Sequence, residues 1–434
     1  MPDPITPIHL LRFTGEDRPG LTADLSATLA DHGAAVLDLN QAVIHEMLLL
    51  GMLVRWPGRC DQQETGLDAI RSVAESHGLR LKVRPIADDA YDRWVAQQGK
   101  PRHILTLLTR TLTAAQLAAV SRVVAEQSLN IDVIHRLSGR PARPGGADDH
   151  ADDRRACVEF SLRGQPADPD AMHERFMQLG SDLHLDLAWQ KDDGYRRARR
   201  MVVFDMDSTL IRAEVIDELA RKAGAGEAVA QITDAAMRGE LDFDDSLRRR
   251  VAALAGLPAS TLAAVAERLE LTEGADTLIR NLKAFGYKTA VLSGGFTYFG
   301  HHLQQQFGLD HVHANRLEIK NGKLTGGVVG DIVNGPRKAQ LLEQLAADEG
   351  IHRRQVVAVG DGANDLPMLR SAGLGIAFHA KPLVRQQAEQ SVSTLGLDAV
   401  LYLLGVPDHQ RLPPEVLDTL PEASHPAPQP APQP

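Results

Sequence analysis

Cysteine is scarce in this sequence of 434 residues, which contains only Cys60 and Cys157. The two cysteines fall in different predicted modules, so the sequence argues against a disulfide framework and against a cysteine-rich metal site. We expect both thiols to be reduced.

Long apolar runs are absent as well. No stretch reaches the ~18 consecutive apolar residues that a membrane-spanning helix needs. The first residues, MPDPITPIHL, do not combine a basic segment with an apolar one, as a secretory signal would. We therefore expect a cytoplasmic protein with no membrane partner.

The sequence also lacks an excess of positive charge. Its net charge of −10 and its isoelectric point near 5.9 argue against a nucleic acid or an anionic membrane as a partner. A phosphorylated substrate would therefore have to be bound by a few locally placed cations. The proportions of hydrophobic (43%) and charged (24%) residues are those of a globular protein, and the length indicates about three domains.

The first predicted module, residues 7–87, alternates strand and helix patterns in the order βαββαβ. The turn Asp17-Arg18-Pro19-Gly20 joins its first strand to its first helix. This order and this turn resemble the ACT domain, a small ferredoxin-like regulatory module that often binds amino acids. The resemblance implies an amino-acid effector, most plausibly serine. A purely structural or dimerising role remains an alternative.

The second predicted module, residues 101–190, repeats the same order. It has Thr111-Leu112-Thr113 in place of the Arg-Pro-Gly turn, which puts ligand binding there in doubt. A loop rich in proline, glycine and aspartate, residues 139–153, is predicted to be mobile. Because the edge strands of small sheets tend to pair with other chains, tandem modules of this kind predict a homodimer.

Two carboxylates end a short buried strand in the stretch Val202–Leu210, VVFDMDSTL. Asp205 and Asp207 lie one residue apart where an apolar run stops, and chemistry in parallel α/β sheets collects at such strand ends. A solvated loop is the alternative for this stretch taken alone. A divalent cation would explain why two acids are placed there.

Three further polar segments follow in the chain. Ser293-Gly294-Gly295 ends an apolar strand, and its backbone N–H groups could approach an anion. Lys338 begins a helical pattern, and Asp361 opens the run Gly360–Leu369, GDGANDLPML, after another apolar strand. Each signal is weak alone, because a lone lysine or serine is usually solvated. Their order in the chain makes them informative.

These four segments together resemble the motifs of the haloacid dehalogenase superfamily of phosphotransferases. The resemblance implies an α/β fold for residues 200–405, namely a Rossmann-like doubly wound parallel sheet with a small helical cap at residues 211–272. It implies that Asp205 is the nucleophile and Asp207 the general acid/base. It further implies that the phosphoryl group is held by Ser293, Gly294, Lys338 and Asn364.

The same resemblance implies a Mg²⁺ ion. Oxygen ligands suit this cation, and the family pattern assigns to it the carboxylates of Asp205 and Asp361 and the backbone carbonyl of Asp207. Asp365 is then expected to orient these metal ligands without binding the ion itself.

Two charged residues of the predicted cap, Glu214 and Arg250, match the pattern of the phosphoserine phosphatases, with Phe243 expected to pack over the closed site. In that family the glutamate receives the substrate amino group and the arginine its carboxylate, which suits a zwitterion. The resemblance implies hydrolysis of O-phospho-L-serine through an aspartyl phosphate, the last step of L-serine biosynthesis.

Two other functions remain possible at this point. One is the same chemistry on another small phosphomonoester. The other is an amino-acid sensor whose catalytic half is inactive, although no motif residue is missing.

The remaining segments are predicted to carry no chemistry. Residues 191–200, KDDGYRRARR, form a charged linker that we expect to be a solvated boundary. Residues 406–434, which turn to proline, alanine and glutamine, are predicted to be a disordered tail.

Overall fold

The structure is a computed structural model that describes residues 7–57, 60–140 and 154–417. The predicted mobile loop lies mostly outside the described residues, and so does the predicted tail beyond residue 417. The chain divides into two compact units, residues 1–100 and 101–434, and each is described by itself. Among the described residues, no helix combines the length and the apolar character needed to cross a bilayer.

The first unit is one βαββαβ module with an extra helix. Its antiparallel sheet has the strand order β2-β3-β1-β4, and two helices cover one face. Gly20 adopts a left-handed conformation (φ 96°) just before the first helix, which explains a glycine at that turn. In chain order the elements are β1 (Ile8–Glu16), α1 (Leu21–Asp31), β2 (Ala35–Ile44), β3 (Met47–Arg55), α2 (Cys60–Ser76), β4 (Arg80–Ile86) and α3 (Asp88–Gln98).

Helix α3 is not predicted by the sequence pattern. None of its residues is buried, so it has no apolar stripe by which periodicity could reveal it.

The second unit begins with another βαββαβ module, whose sheet order β6-β7-β5-β8 repeats that of the first. Thr113, in the turn that replaces Arg-Pro-Gly, caps the first helix of this module by accepting from Gln116 N at 3.2 Å. The elements are β5 (Arg102–Thr109), α4 (Ala114–Glu126), β6 (Asn130–Arg136), β7 (Ala156–Arg163), α5 (Pro169–Leu183) and β8 (Asp186–Lys191).

A seven-stranded sheet with the order β12-β11-β10-β9-β13-β14-β15 forms the rest of the second unit. Strand β9 is central and wholly buried, and only the β11–β12 pair is antiparallel. The strands are β9 (Met201–Phe204), β10 (Lys288–Phe296), β11 (His311–Lys320), β12 (Lys323–Val329), β13 (Val356–Gly360), β14 (Leu374–Phe378) and β15 (Gln390–Val392).

Four helices inserted after β9 form a cap, and the others flank the sheet. The cap helices are α6 (Val215–Ala223), α7 (Gly226–Met237), α8 (Phe243–Ala252) and α9 (Ser260–Ala266). The others are α10 (Ala275–Ala284), α11 (Thr297–Phe307), α12 (Gly335–Asp348), α13 (Leu366–Ser371), α14 (Pro382–Gln387), α15 (Val400–Leu403) and α16 (Pro414–Leu417). The predicted fold class, α/β with a helical cap behind βαββαβ modules, is confirmed.

The second βαββαβ module is packed firmly on the seven-stranded sheet. Asp186 on β8 is 2% exposed, and it accepts from the backbone N–H and the hydroxyl of both Ser393 and Thr394 at 2.6–2.8 Å. Removing a buried acceptor of this kind leaves several donors unsatisfied. The two parts therefore form one body.

The structure corrects two predictions about the segments around this body. The linker is not simply a solvated boundary, because Arg196 is buried and pairs with Glu159 of the preceding module. The chain is also ordered past residue 406: the hydroxyl of Tyr402 donates to Asp408 at 2.7 Å, and Arg411 pairs with Asp398 at 2.7 Å. Disorder from residue 406 is therefore wrong for the residues up to 417.

Candidate active site

A fully buried lysine lies at the centre of the site. Lys338, in the first turn of α12, places its Nζ 2.8 Å from Asp205 Oδ1 and 2.7 Å from Asp365 Oδ1. Burial alone would lower the pKa of Lys338, but the two carboxylates outweigh burial and raise it. The lysine therefore stays charged and links the end of β9 to the turn after β13.

Three carboxylates converge beside this lysine. Asp205, Asp361 and Asp365 each place an oxygen within 4.8 Å of the others, because β9 and β13 are parallel neighbours that end at the same edge. Burial, with Asp365 as the next cause, raises the pKa of Asp205 to about 8 and that of Asp361 to about 7. One lysine does not balance the charge of three carboxylates, and carboxylate oxygens are ligands that a hard divalent cation prefers.

Asp361 and Asp365 each accept a further hydrogen bond. Asp361 accepts from the Thr209 hydroxyl at 3.2 Å, and Asp365 accepts from Gly362 N at 3.0 Å. The sequence led us to expect Asp365 behind the metal ligands. In the structure its carboxylate lies beside those of Asp205 and Asp361 in the same cluster.

Asp207 points its carboxyl group elsewhere. Its Oδ1 accepts from the backbone N–H of Val215 at 3.2 Å, and its side chain does not belong to the cation cluster. Burial raises the pKa of Asp207, and the nearby charge of Glu214 raises it further. A Cβ at Gly295 would lie 2.4 Å from Asp207 Oδ2, so only glycine leaves room for this carboxyl group.

The Ser293-Gly294-Gly295 turn is held from behind by a residue that we did not predict. Asn315 on β11 is 1% exposed; its Nδ2 donates to Gly294 O at 2.8 Å, and its Oδ1 accepts from Val333 N at 2.9 Å. The sequence signal was available, since asparagine is unusual in a buried strand. The turn itself is closed by Gly295 N donating to Ser293 Oγ at 2.9 Å.

The structure places Asn364 in the turn after β13. A Cβ at Gly362 would lie 2.2 Å from Asn364 Oδ1, and one at Gly335 would lie 2.8 Å from Asn364 O. Asn364 therefore lies between the β13 turn and the start of the helix that carries Lys338.

The cap contributes two charges and an aromatic ring. Glu214, at the start of α6, accepts from the Ser208 hydroxyl at 2.9 Å. Arg250 on α8 has a buried Nε for which no acceptor lies among the described residues. Burial lowers the pKa of Arg250, against the opposing charge of Glu214. A Cβ at Gly294 would lie 2.8 Å from Phe243 Cζ, so this ring closes over the turn.

All the site residues predicted from the sequence therefore fall in one region of the second unit. The arrangement offers a buried carboxylate beside a lysine, a separate carboxyl group whose pKa is raised by burial, and an oxygen-rich cation cluster. It also offers a guanidinium in the cap whose buried Nε has no acceptor in the described part of the chain. These groups can accept a phosphoryl group, transfer a proton and bind a carboxylate.

Comparison with known proteins is consistent with this geometry. Residues 202–370 match the model of the haloacid dehalogenase-like hydrolases, and residues 8–84 match that of the ACT domain. Among solved structures, a haloacid dehalogenase family hydrolase from Salmonella enterica is 31% identical with a TM-score of 0.60, covering 69% of this chain and 98% of the other. A probable phosphoserine phosphatase from Vibrio cholerae is 35% identical with a TM-score of 0.55, covering 71% and 88%.

Two relatives match almost the entire length. The chain is 44% identical over 401 residues to a phosphoserine phosphatase of Streptomyces coelicolor, covering 92% of each protein. It is 43% identical over 397 residues to phosphoserine phosphatase SerB2 of Mycobacterium tuberculosis, covering 92% of this chain and 93% of that one. The resemblance to the haloacid dehalogenase superfamily and that of the first module to the ACT domain are confirmed, and the chain belongs to the phosphoserine phosphatase family of the haloacid dehalogenase-like hydrolases.

Proposed function

We propose that this protein is a Mg²⁺-dependent phosphatase that hydrolyses O-phospho-L-serine to L-serine and phosphate, as the last step of L-serine biosynthesis. The observation that carries the proposal is the buried Nε of Arg250 in the cap, which has no acceptor among the described residues. A buried guanidinium nitrogen without an acceptor is costly unless a ligand supplies one. The carboxylate of phosphoserine would supply it.

The acidic cluster supports the cofactor. The carboxylates of Asp205 and Asp361 and the backbone carbonyl of Asp207 would hold Mg²⁺, and Asp365 would stabilise the cluster through Lys338. When bound, the ion supplies positive charge to the phosphoryl oxygens and keeps the carboxylates ionised.

The two aspartates at the end of β9 would divide the chemistry between them. Asp205 attacks phosphorus, so that an Asp–O–P bond forms while the bond from phosphorus to the serine oxygen breaks. Asp207, whose pKa is raised by burial, would give its carboxyl proton to the leaving serine oxygen. It then takes a proton from the water that attacks phosphorus and releases Asp205.

The negative charge that builds up on the phosphoryl oxygens would be stabilised from three sides. Lys338 approaches Asp205 from α12, and Ser293 and the backbone N–H of Gly294 approach from β10, while Asn364 closes the remaining side. Donors fixed before the reaction need no reorganisation during it, which makes them effective in a buried site.

The cap would bind the amino-acid part of the substrate. Glu214 would receive the ammonium group, Arg250 the carboxylate, and Phe243 would exclude water above the phosphoryl turn. A fixed cation and a fixed anion together select a zwitterion over a plain phosphate ester. The intact catalytic constellation argues against a sensor with an inactive catalytic half.

We further propose that the protein is a homodimer whose first module binds an amino-acid effector, plausibly serine. Every residue of edge strand β2 except Leu37 is exposed, and the strand carries Val36, Leu39, Val43 and Ile44 with exposures of 40–64%. An unpaired apolar edge invites a second copy, and twofold symmetry closes the pairing. The match of residues 8–84 to the ACT domain supports the effector.

Arg250→Ala should lose at least a hundredfold in kcat/KM on phosphoserine but much less on phenyl phosphate, because only phosphoserine brings a carboxylate to that position. Arg249→Ala, which removes an exposed neighbour on the same helix, is the control and should change neither. Phosphate release measures both activities. Equal losses of Arg250→Ala on the two substrates would refute the assigned role in substrate selection.

Mg²⁺ affinity should rise with pH between about 6 and 8.5. Because the pKa values of Asp361 and Asp205 are raised to about 7 and about 8 without metal, the ion must displace protons at low pH, and each displaced proton gives up to about tenfold per pH unit. Calorimetry in two buffers of different ionisation enthalpy counts the released protons. The control variant Asp234→Asn, which removes an exposed carboxylate away from the cluster, should behave like the unmodified protein. A Mg²⁺ affinity that does not change with pH would contradict the prediction.

Leu39→Glu combined with Ile44→Glu should convert a dimer into a monomer of 47.1 kDa, because two charges would be buried without partners in the pairing. Sedimentation velocity measures the mass. Asn40→Asp adds charge at an exposed polar position of the same strand and should leave the dimer intact. A monomeric unmodified protein would rule out the proposed assembly.

A further inference from the structure

Ser208 has a backbone conformation that favours glycine. It lies in the tight turn after β9, where the N–H groups of Leu210 and Ile211 both donate to Met206 O at 2.9 and 3.1 Å. This turn requires a φ of 56° at Ser208. The left-handed region costs a serine free energy that a glycine would not lose, so we asked what the side chain contributes.

The serine hydroxyl is committed to one partner. Its Oγ donates to Glu214 Oε1 at 2.9 Å, and a hydroxyl has only one proton to donate. The strained turn is therefore what aims Oγ at Glu214. Strained residues that are held by surrounding structure concentrate at functional sites.

Glu214 depends on such an anchor. It precedes α6 as the N-cap residue, but its side chain makes no capping hydrogen bond to that helix, and the residue is exposed. A glutamate in that setting would otherwise sample several rotamers, and fixing it costs conformational entropy when a ligand binds.

Glu214 lies close enough to the reacting groups to affect their pKa values. Its charge raises the pKa of Asp207 and of Asp361 and opposes the effect of burial on Arg250. The carboxylate thus lies near both the end of β9 and the guanidinium of Arg250, with Oε1 bound to the Ser208 hydroxyl.

We propose that Ser208 is a positioning residue that holds Glu214 in place for the substrate ammonium group, and that it thereby sets the preference for phosphomonoesters that carry an amine. The proposal rests on the proposed function, because it concerns the same substrate. It adds a residue whose role is to fix the Glu214 carboxylate in its binding orientation before the substrate binds.

The test compares two substrates that differ only in the amine, O-phospho-L-serine and 3-phosphooxypropanoate, with the full-length, Mg²⁺-loaded enzyme. The unmodified enzyme should prefer phosphoserine in kcat/KM. In Ser208→Ala this preference should fall about tenfold, mainly through a higher KM for phosphoserine, because a charged hydrogen bond is lost.

Two further variants separate the hydroxyl from the backbone strain. Ser208→Gly should lose the same preference while its melting temperature rises above that of Ser208→Ala, since glycine relieves the strain. Ser208→Asn tolerates the left-handed region and offers an amide donor, so it should recover part of the preference. In a Glu214→Ala background, Ser208→Ala should cause no further loss of preference.

The outcomes are distinguishable. An unchanged preference in Ser208→Ala, or equal losses on both substrates, would overturn the role of Ser208 while leaving the proposed function intact. An unmodified enzyme without activity on phosphoserine, or without preference for the amine, would overturn both.

Discussion

The buried ion pairs of Lys338 are the interaction on which the rest of the catalytic half depends. A lysine ammonium with no exposed surface is tolerated only because Asp205 and Asp365 each lie within 2.8 Å of it. Both carboxylates are buried as well, and the ammonium supplies the opposite charge that a buried carboxylate needs. The three groups therefore fix one another, and with them the distance between the end of β9, the turn after β13 and the start of α12.

This constraint explains the arrangement of the other groups. Because the central strands are parallel, their polar ends meet at one edge of the sheet, and the carboxylates gather there. The cap is inserted directly after β9, so Glu214 and Arg250 come to the same edge although 36 residues separate them in the chain. The division of labour between Asp205, beside the lysine, and Asp207, beside Val215 N and Glu214, follows from these different surroundings.

Much of this could be predicted from the sequence, since the site residues end apolar strands whose periodicity is plain. The sequence could not reveal which partners the supporting residues contact. Asn315 holds Gly294 O across two strands, and nothing in its local sequence indicates which turn it supports. Likewise, Arg196 and Arg411 look like surface charges in polar segments, but Arg196 pairs with Glu159 of the preceding module and Arg411 pairs with buried Asp398. Charge composition indicates solvent exposure, and only tertiary contacts can override that indication.

The central claim is that Asp205, held by Lys338, accepts the phosphoryl group. Rapid acid quenching of the enzyme with ³²P-labelled phosphoserine, followed by borohydride reduction and peptide mass spectrometry, tests this claim most directly. In the unmodified enzyme we expect ³²P label before reduction and, after reduction has released the phosphate, a homoserine at position 205. Labelling should be stronger in Asp207→Asn because hydrolysis slows, and Asp205→Asn should show neither label nor homoserine. Label on another residue, or activity of Asp205→Asn within about tenfold of normal, a difference of only ~1.4 kcal/mol in the barrier, would contradict the account.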